Sequence, residues 1–276
     1  MLSAQRGADS VSLLCGSTLL ALALGSLTAG TAQADLAAEL DRLSQVRVAE
    51  FGRDALVREY GKALVRHPDD RARSAALLAM GHLCETRDSA HGIRTDEDRA
   101  RRYFRAAISA APVGTEPWLN ACLTSFSREL WLDADLARQQ LADLEQQFAH
   151  VNYYDPDWRR VAAVRVAAAR VDYASRCENV FATIDAFNAM RASEQAARLP
   201  GHSFQRRDAI VAQQCAYSVV LSKIIHCELP KARRRELLSQ VGHFRSRLWR
   251  VFQRAADRLE NMPEAPISTS EEPSAL

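Results

Sequence analysis

Glycine, proline and aromatic residues are scarce in this sequence, which has 11 glycines, 9 prolines and 7% aromatic residues among its 276 residues. Almost no stretch shows apolar residues alternating with a period of two, the pattern that a β-strand requires. From residue 36 onward, apolar residues recur instead at every third or fourth position. Alanine, leucine and arginine, which lose little conformational freedom in a helix, are abundant. The sequence therefore predicts an all-α fold.

The sequence also lacks the linear motifs of known catalytic sites. It has no Gly-x-Ser-x-Gly elbow, no His-Glu-x-x-His helix, no phosphate-binding glycine loop, no Cys-x-x-Cys pair and no haem attachment pattern. Its histidines and cysteines do not follow the ligand spacings of zinc motifs. We therefore expect no metal, no cofactor and a non-enzymatic role. An enzyme whose active site no linear motif reveals is the alternative.

An excess of charge of either sign is missing as well. The chain has 36 basic and 34 acidic residues, which give a formal net charge of +2. Proteins that bind nucleic acid usually carry a marked basic excess. Nucleic acid is therefore not an expected partner.

Long apolar runs are absent except near the amino terminus, where residues 11–27 follow the basic residue Arg6. The run leads into an Ala-x-Ala pattern at residues 32–34, which is typical of a secretory signal peptide cleaved just before Asp35. We therefore expect residues 1–34 to be removed and the rest of the chain to be exported. The expected location is the periplasm of a Gram-negative cell, or the outside of the cell.

Turn residues divide the remaining sequence into helices joined by short connections, which favour antiparallel neighbours. The sequence predicts one helical domain over residues 35–262, followed by a Pro-, Glu- and Ser-rich tail over 263–276 that is too polar to fold. The expected architecture is an antiparallel array of helix pairs, similar to an α-solenoid; a compact helical bundle is the alternative. The predicted helices are 36–64 as two helices or one bent helix, 71–84, 96–111, 116–132, 134–150, 157–190 with a break, 205–228 and 231–261.

Two stretches resemble known helical repeats. Residues 56–68 resemble the second helix of a tetratricopeptide repeat, and residues 76–107 follow the order of a Sel1-like repeat. In the second stretch, small residues at Gly81 and Ala107 allow two helices to approach closely, and an aromatic residue, Tyr103 or Phe104, fills the space beside them. The resemblance extends over residues 56–112, about a quarter of the exported chain.

The resemblance implies a stack of helices with a concave surface that binds another protein. We expect exposed residues of the repeat helices to line that surface, namely Arg99, Arg102, Arg105 and Trp118. The resulting hypothesis is an exported adaptor or assembly scaffold whose partner is another protein of the cell envelope. A cell-envelope enzyme is one alternative function, and a secreted or membrane-surface effector that uses the arginine-rich last helix is another.

The last predicted helix, 231–261, has an apolar stripe and is rich in arginine. Nine basic and three acidic residues give this segment a local charge of +6. Arg247, Arg250 and Arg254 lie opposite the apolar stripe. Two interpretations stay open: the solvated face of a packed helix, or a surface that contacts anionic lipid or another anionic partner.

Five cysteines remain after the expected cleavage, and in an oxidising compartment such cysteines usually form disulfide bonds. Cys84 and Cys122 are 38 residues apart, and so are Cys177 and Cys215. Each pair is a candidate disulfide that would join equivalent helices of neighbouring repeats. Cys227 is then a buried thiol, although its pairing with Cys177 or Cys215 stays open.

Overall fold

The structure is a computed structural model that describes residues 31–46, 51–66, 70–86, 94–151, 156–197, 204–242 and 248–263. Within these ranges 88% of the residues are helical and there is no strand, which confirms the predicted all-α fold. The predicted signal peptide lies outside the described residues as far as residue 30. None of the described helices is both long and apolar enough to cross a membrane.

The described part of the chain contains eleven helices. Consecutive helices are joined by short connections, some of which include residues outside the described ranges. They are α1 Thr31–Ser44, α2 Arg53–Arg66, α3 Asp70–Glu85, α4 Glu97–Ala110, α5 Glu116–Leu132, α6 Ala134–His150, α7 Pro156–Cys177, α8 Val180–Ala197, α9 Phe204–His226, α10 Lys231–Val241 and α11 Trp249–Asn261.

Short polar side chains fix the start of three helices in the first half of the chain. The Asp96 carboxylate accepts a hydrogen bond from the amide of Arg99 at 3.1 Å. Thr115 caps α5 in the same way, and Asp133 accepts from the amide of Leu136 at 3.0 Å to cap α6. Such caps satisfy amides that have no partner within the helix. The bounds of α5 and α6 agree with those predicted from the sequence.

The single helix predicted over 231–261 is wrong, because α10 ends at Val241. The next residue, Gly242, has a φ of +57°, in the left-handed region that glycine adopts most readily. Its carbonyl accepts a hydrogen bond from the Tyr217 hydroxyl. Residues 243–247 lie outside the described part of the chain, as does the tail predicted to be unfolded from residue 264 onward.

The chain divides into two compact units after Ala162, within α7. In unit 1, α3 packs against its chain neighbours α2 and α4 and also against α1 and α5. The core of this unit includes Leu56, Tyr60 and Phe104. Contact of one helix with the next two along the chain is consistent with the predicted array of helix pairs and equally with a bundle.

In unit 2, α9 contacts α8, α10 and α11. The rings of Phe187 and Tyr217 stack in its core with centroids 5.7 Å apart. Four helix ends in this unit are each bound by a basic side chain from another helix, an arrangement that satisfies terminal carbonyls and complements the helix dipole. Lys223 donates to Ser175 and Glu178 at the end of α7, Arg234 to Ile225 in α9, Arg191 to Val241 in α10, and Lys231 to Glu260 and Met262 at the end of α11.

Candidate functional site

The junction of α3 and α4 has the close packing expected at Gly81. A Cβ atom at this position would lie 2.7 Å from Cδ1 and 2.9 Å from Cζ of Phe104, so no larger residue fits unless the ring moves. The Ser74 hydroxyl, also on α3, donates to the carbonyl of Ala107 at 3.0 Å. Both contacts hold α4 closely against α3. The assignment to a repeat family stays a prediction.

A buried carboxylate joins α4 to α5. The Glu129 side chain is 2% exposed and accepts two hydrogen bonds from Arg101, at 3.0 Å from Nε and 2.8 Å from Nη2. The hydrogen bond with Glu129 raises the pKa of Arg101. Nη1 of Arg128 lies 2.7 Å from the same carboxylate. Two guanidinium groups thus compensate the buried charge of Glu129.

Arg128 extends this network to α3 and to the start of α4. Its Nε lies 2.5 Å from Oε1 of Glu85, whose second carboxylate oxygen is 3.2 Å from Nδ1 of His82. Nη2 of Arg128 donates to the carbonyl of Glu97 at 3.3 Å. The network therefore fixes α3, α4 and α5 to one another through charged groups.

A cleft of about 850 Å³ opens where α2 and α4 begin. One of its lining residues, Asp54, is held by a salt bridge, because Nη1 of Arg99 is 2.6 Å from the Asp54 carboxylate. Nearby, the Arg53 guanidinium donates to the carbonyl of Arg94. Six of the nine lining residues are charged, and the lining consists of Gly52, Arg53, Asp54, Ala55, Arg94, Thr95, Asp96, Glu97 and Asp98.

Exposed charged side chains continue from the cleft along α4. Asp98, Arg102 and Arg105 follow one another at helical spacings of four and three, so they lie on one face of the helix. Arg102 and Arg105 form no ion pair with any residue in the described ranges. We define the α4 surface as five exposed residues, of which the first three line the cleft: Arg94, Glu97, Asp98, Arg102 and Arg105.

The residues expected from the sequence to line a binding surface in unit 1 have different environments. Arg102 and Arg105 are exposed, whereas Arg99 is only partly exposed and is held by Asp54. The interaction of Arg99 with Tyr103, and then that with Asp54, raises the pKa of its guanidinium. Trp118 does not line a surface, because it is 1% exposed and belongs to the apolar side of α5. That part of the prediction is wrong.

The arginines expected to form an anionic contact lie in unit 2. Arg250 and Arg254 are exposed on α11, one helical turn apart. Arg247 lies outside the described residues. The structure therefore retains two members of the predicted basic surface, on a helix separate from α10.

The predicted disulfide bonds are not present in the structure. All five cysteines of the described chain are reduced thiols, so neither Cys84 and Cys122 nor Cys177 and Cys215 are bonded. Burial raises the pKa of the Cys122 thiol to about 12 and also raises that of Cys84. In the described ranges, no three His, Cys, Asp or Glu side chains are grouped so that they could hold a metal ion.

Sequence reasoning missed the network around Glu129, because its members come from three helices that are distant in sequence. Arg128 and Glu129 are adjacent in sequence, and adjacent residues of a helix do not face each other as residues three or four apart do. Their position on the otherwise apolar side of α5, between Phe126 and Leu130, is the signal that could have indicated burial.

No protein-family model, curated protein or solved structure matches this chain. Its function is therefore inferred from its own residues and their geometry.

Proposed function

We propose that this protein is an exported adaptor or assembly scaffold that binds another protein of the cell envelope through the α4 surface. The observation that carries the proposal is the continuity between the charged cleft at the start of α4 and the exposed Arg102 and Arg105 further along the same helix. The cleft is the docking point for side chains of the partner, and the two arginines are contacts for acidic residues beside them.

The chemistry of the cleft favours a protein partner over a small molecule. Pockets that bind small molecules are mostly lined by apolar and aromatic side chains, with a few polar groups that fix orientation. Here the lining has no aromatic residue, and only Gly52, Ala55 and Thr95 are uncharged. A surface of mixed charge gives specificity and fast association with a complementary protein surface.

The sequence of charges along the α4 surface defines the expected partner. Glu97 and Asp98 present negative charge at the cleft, and Arg102 and Arg105 present positive charge one and two turns later. A segment that carries basic and then acidic side chains at a similar spacing complements this order. If the partner segment bound in the opposite direction, its charged groups would face groups of the same sign on the α4 surface, and binding would be weaker.

The residues beneath the surface support a preformed binding site. Arg101, on the inner side of α4, is held by Glu129, and the carbonyl of Glu97 is held by Arg128. Phe104 is buried against Gly81. Because α4 is fixed at several points, little ordering of the helix would be needed on binding, which favours affinity.

The proposal is tested by purifying a tagged form of the protein from the cells that make it, after chemical crosslinking. The test variant carries Arg102→Glu and Arg105→Glu. The matched control carries Arg138→Glu and Arg159→Glu, which make the same change in net charge at two exposed positions of α6 and α7 in unit 1.

We expect an envelope protein to be recovered with the wild type and the control, and to be depleted at least about tenfold with the test variant, because a few residues dominate most protein interfaces. Equal recovery with both variants would place the contact elsewhere and contradict the proposal. Recovery of no protein with the wild type would contradict it as well.

A further inference from the structure

Helix α11 has one face inside unit 2 and an opposite face that is basic. Leu248, Ala255 and Leu259 are buried in the core of the unit. Arg250 and Arg254 are exposed, and Trp249 beside them is 43% exposed. We call these three residues, Trp249, Arg250 and Arg254, the α11 patch.

The arginines of the α11 patch differ from Lys231, Arg233 and Arg235 of α10 in forming no ion pair within the described ranges, although the exposed Asp257 lies one turn after Arg254. Arg233 is paired with Glu236, and Arg235 with Glu260. Across the part of the chain that the structure describes, Arg250 and Arg254 form no ion pair. Their charge is therefore available to a ligand outside the molecule.

The exposed or partly exposed charges of the two helices have the same overall sign. Leaving out the buried Arg234, six basic and three acidic residues give α10 and α11 together a net charge of +3. Positive charge concentrated on one surface attracts anions over about 8 Å at physiological salt. Charge complementarity thus indicates an anionic binding partner for the α11 patch.

Trp249 specifies what kind of anionic partner fits. Its ring stacks on Phe252 with centroids 5.7 Å apart, while nearly half of the residue stays exposed. Tryptophan prefers the boundary between water and lipid, where the ring contacts acyl chains and the indole N–H contacts polar groups. The two arginines attract anionic headgroups, and the exposed tryptophan suits the interfacial level of a membrane.

We propose that the α11 patch binds anionic phospholipid headgroups and holds the protein at a membrane surface. The contact is peripheral, because the apolar side of α11 is already used in the core of unit 2. Arg250 and Arg254 contact phosphate groups, and Trp249 lies at the level of the headgroups. This inference goes beyond the proposed function, since its residues belong to unit 2 and the α4 surface belongs to unit 1.

The experiment measures cosedimentation of the chain beginning at Asp35 with vesicles of phosphatidylglycerol and phosphatidylcholine, and with vesicles of phosphatidylcholine alone. Starting at Asp35 removes the apolar run over 11–27, which would itself bind lipid, and removes none of the described core residues. The variants are Arg250→Glu with Arg254→Glu, Trp249→Ala, and the control Arg138→Glu with Arg159→Glu.

We expect binding to the anionic vesicles in 50 mM salt and much weaker binding in 300 mM salt. Reversal of Arg250 and Arg254 weakens binding at least about 25-fold, because each arginine near an anionic membrane contributes a factor of about 5. Trp249→Ala also weakens binding although it leaves the net charge unchanged. The control binds like the wild type, because its substituted residues lie outside the α11 patch.

Three results would overturn the inference. They are no binding to anionic vesicles, unchanged binding after reversal of Arg250 and Arg254, and equal losses for the test and control reversals. The last would show an effect of net charge alone. Circular dichroism of each variant checks that the helices are retained, so that a loss of binding reports on the patch.

Discussion

Arg101 on α4 and Glu129 on α5 form a two-point ion pair, with the guanidinium Nε and Nη2 at 3.0 and 2.8 Å from the two carboxylate oxygens. The carboxylate is almost fully buried, whereas the Arg101 side chain is 29% exposed. One edge of α4 is thus fixed to the interior, and Arg102 and Arg105 remain available at the surface. This relationship connects the buried charges of unit 1 with the α4 surface proposed to bind a partner.

Substitution of Glu129 tests the network beneath that surface. Glu129→Gln leaves Arg128 with Glu85 as its remaining acidic partner and removes the charge that compensates Arg101. We expect the free energy of unfolding of unit 1 to fall by about 3 kcal/mol, the lower end of the cost of breaking a buried ion pair. Urea denaturation followed by circular dichroism measures the change.

The control for this substitution is Glu145→Gln, which makes the same chemical change on the exposed side of α6. Little change is expected there, because solvent screens exposed charges. Equal effects at positions 129 and 145 would show that the network does not stabilise unit 1.

Substitution of two helical glycines tests the packing of α3 on α4. Gly81→Ala would place a methyl group against the Phe104 ring, and overpacking of a core usually costs about 1–3 kcal/mol. At Gly61 on α2 an added Cβ has no other atom within 4 Å, so Gly61→Ala should stabilise the protein by about 0.5–1 kcal/mol. Urea denaturation of both variants measures the two changes in the free energy of unfolding, which should have opposite signs.

The origin of the Gly81 effect is checked by combining it with Phe104→Leu. The smaller side chain removes the ring that the new methyl group would meet, so Gly81→Ala should cost much less in this background. An unchanged cost would show that the destabilisation does not arise from contact between these two residues.

The sequence predicted the helices of unit 1 well because their ends carry local signals. Helix boundaries are marked by Thr115, Asp133 and Pro112, whose effect on the backbone depends only on residues nearby in sequence. The bounds of α5 and α6 agree with those predicted. The break at Gly242 was not predicted, because the apolar periodicity continues on both sides of it. One glycine with positive φ interrupts the helix without changing that pattern.

The candidate site was less predictable because it depends on contacts between residues distant in sequence. Arg102 and Arg105 were identified from their helix, but Trp118 proved to be in the core. The cleft joins residues 52–55 to residues 94–98, and no local pattern relates these two segments. The roles of Lys223 and Arg234 as partners of helix ends depend in the same way on tertiary packing.

Substitution of Lys223 tests whether basic side chains stabilise the helix ends of unit 2. Lys223→Met keeps most of the aliphatic chain but removes the ammonium group that donates to Ser175 and Glu178. We expect a loss of about 1–2 kcal/mol, from a hydrogen-bonded cation at a helix carboxyl terminus. The control, Arg254→Met, removes an exposed cation from the same unit and should change the free energy of unfolding little. An equal loss of stability in the two variants would contradict the capping role.

The raised pKa of Cys122 predicts slow reaction with thiol reagents. At pH 8 a pKa of about 12, instead of the ordinary 9.0, lowers the thiolate fraction about 1,000-fold. Cys177, which is exposed, should therefore be modified in the fast phase of a maleimide reaction followed by mass spectrometry. Fast modification of Cys122 in the folded protein would contradict the described burial.

The same shift predicts a dependence of stability on pH. The folded thiol of Cys122 ionises near pH 12 and the unfolded thiol near 9, so the unfolded state loses its proton first. The contribution to stability is complete below pH 9 and is lost as the pH rises from 9 towards 12. Cys122→Ser should reduce this alkaline loss in urea denaturation curves; an unchanged pH dependence would assign the loss to other groups.

The oxidation state can be measured in the same samples. The chain from Asp35 should release five reactive thiols when it is unfolded without reductant, if the reduced form in the structure is the stable one. One reactive thiol would show instead that the two disulfide bonds expected from the cysteine spacing form in the exported protein.

The measurement that tests the proposed binding role most directly is site-specific photocrosslinking in living cells. A photoreactive amino acid replaces Ser109, an exposed residue one turn after Arg105 on α4, in one strain and Gln139, an exposed residue of α6, in another. The account predicts a discrete adduct with one envelope protein from position 109 and none from position 139. No adduct at position 109, or the same adduct from both positions, would contradict it.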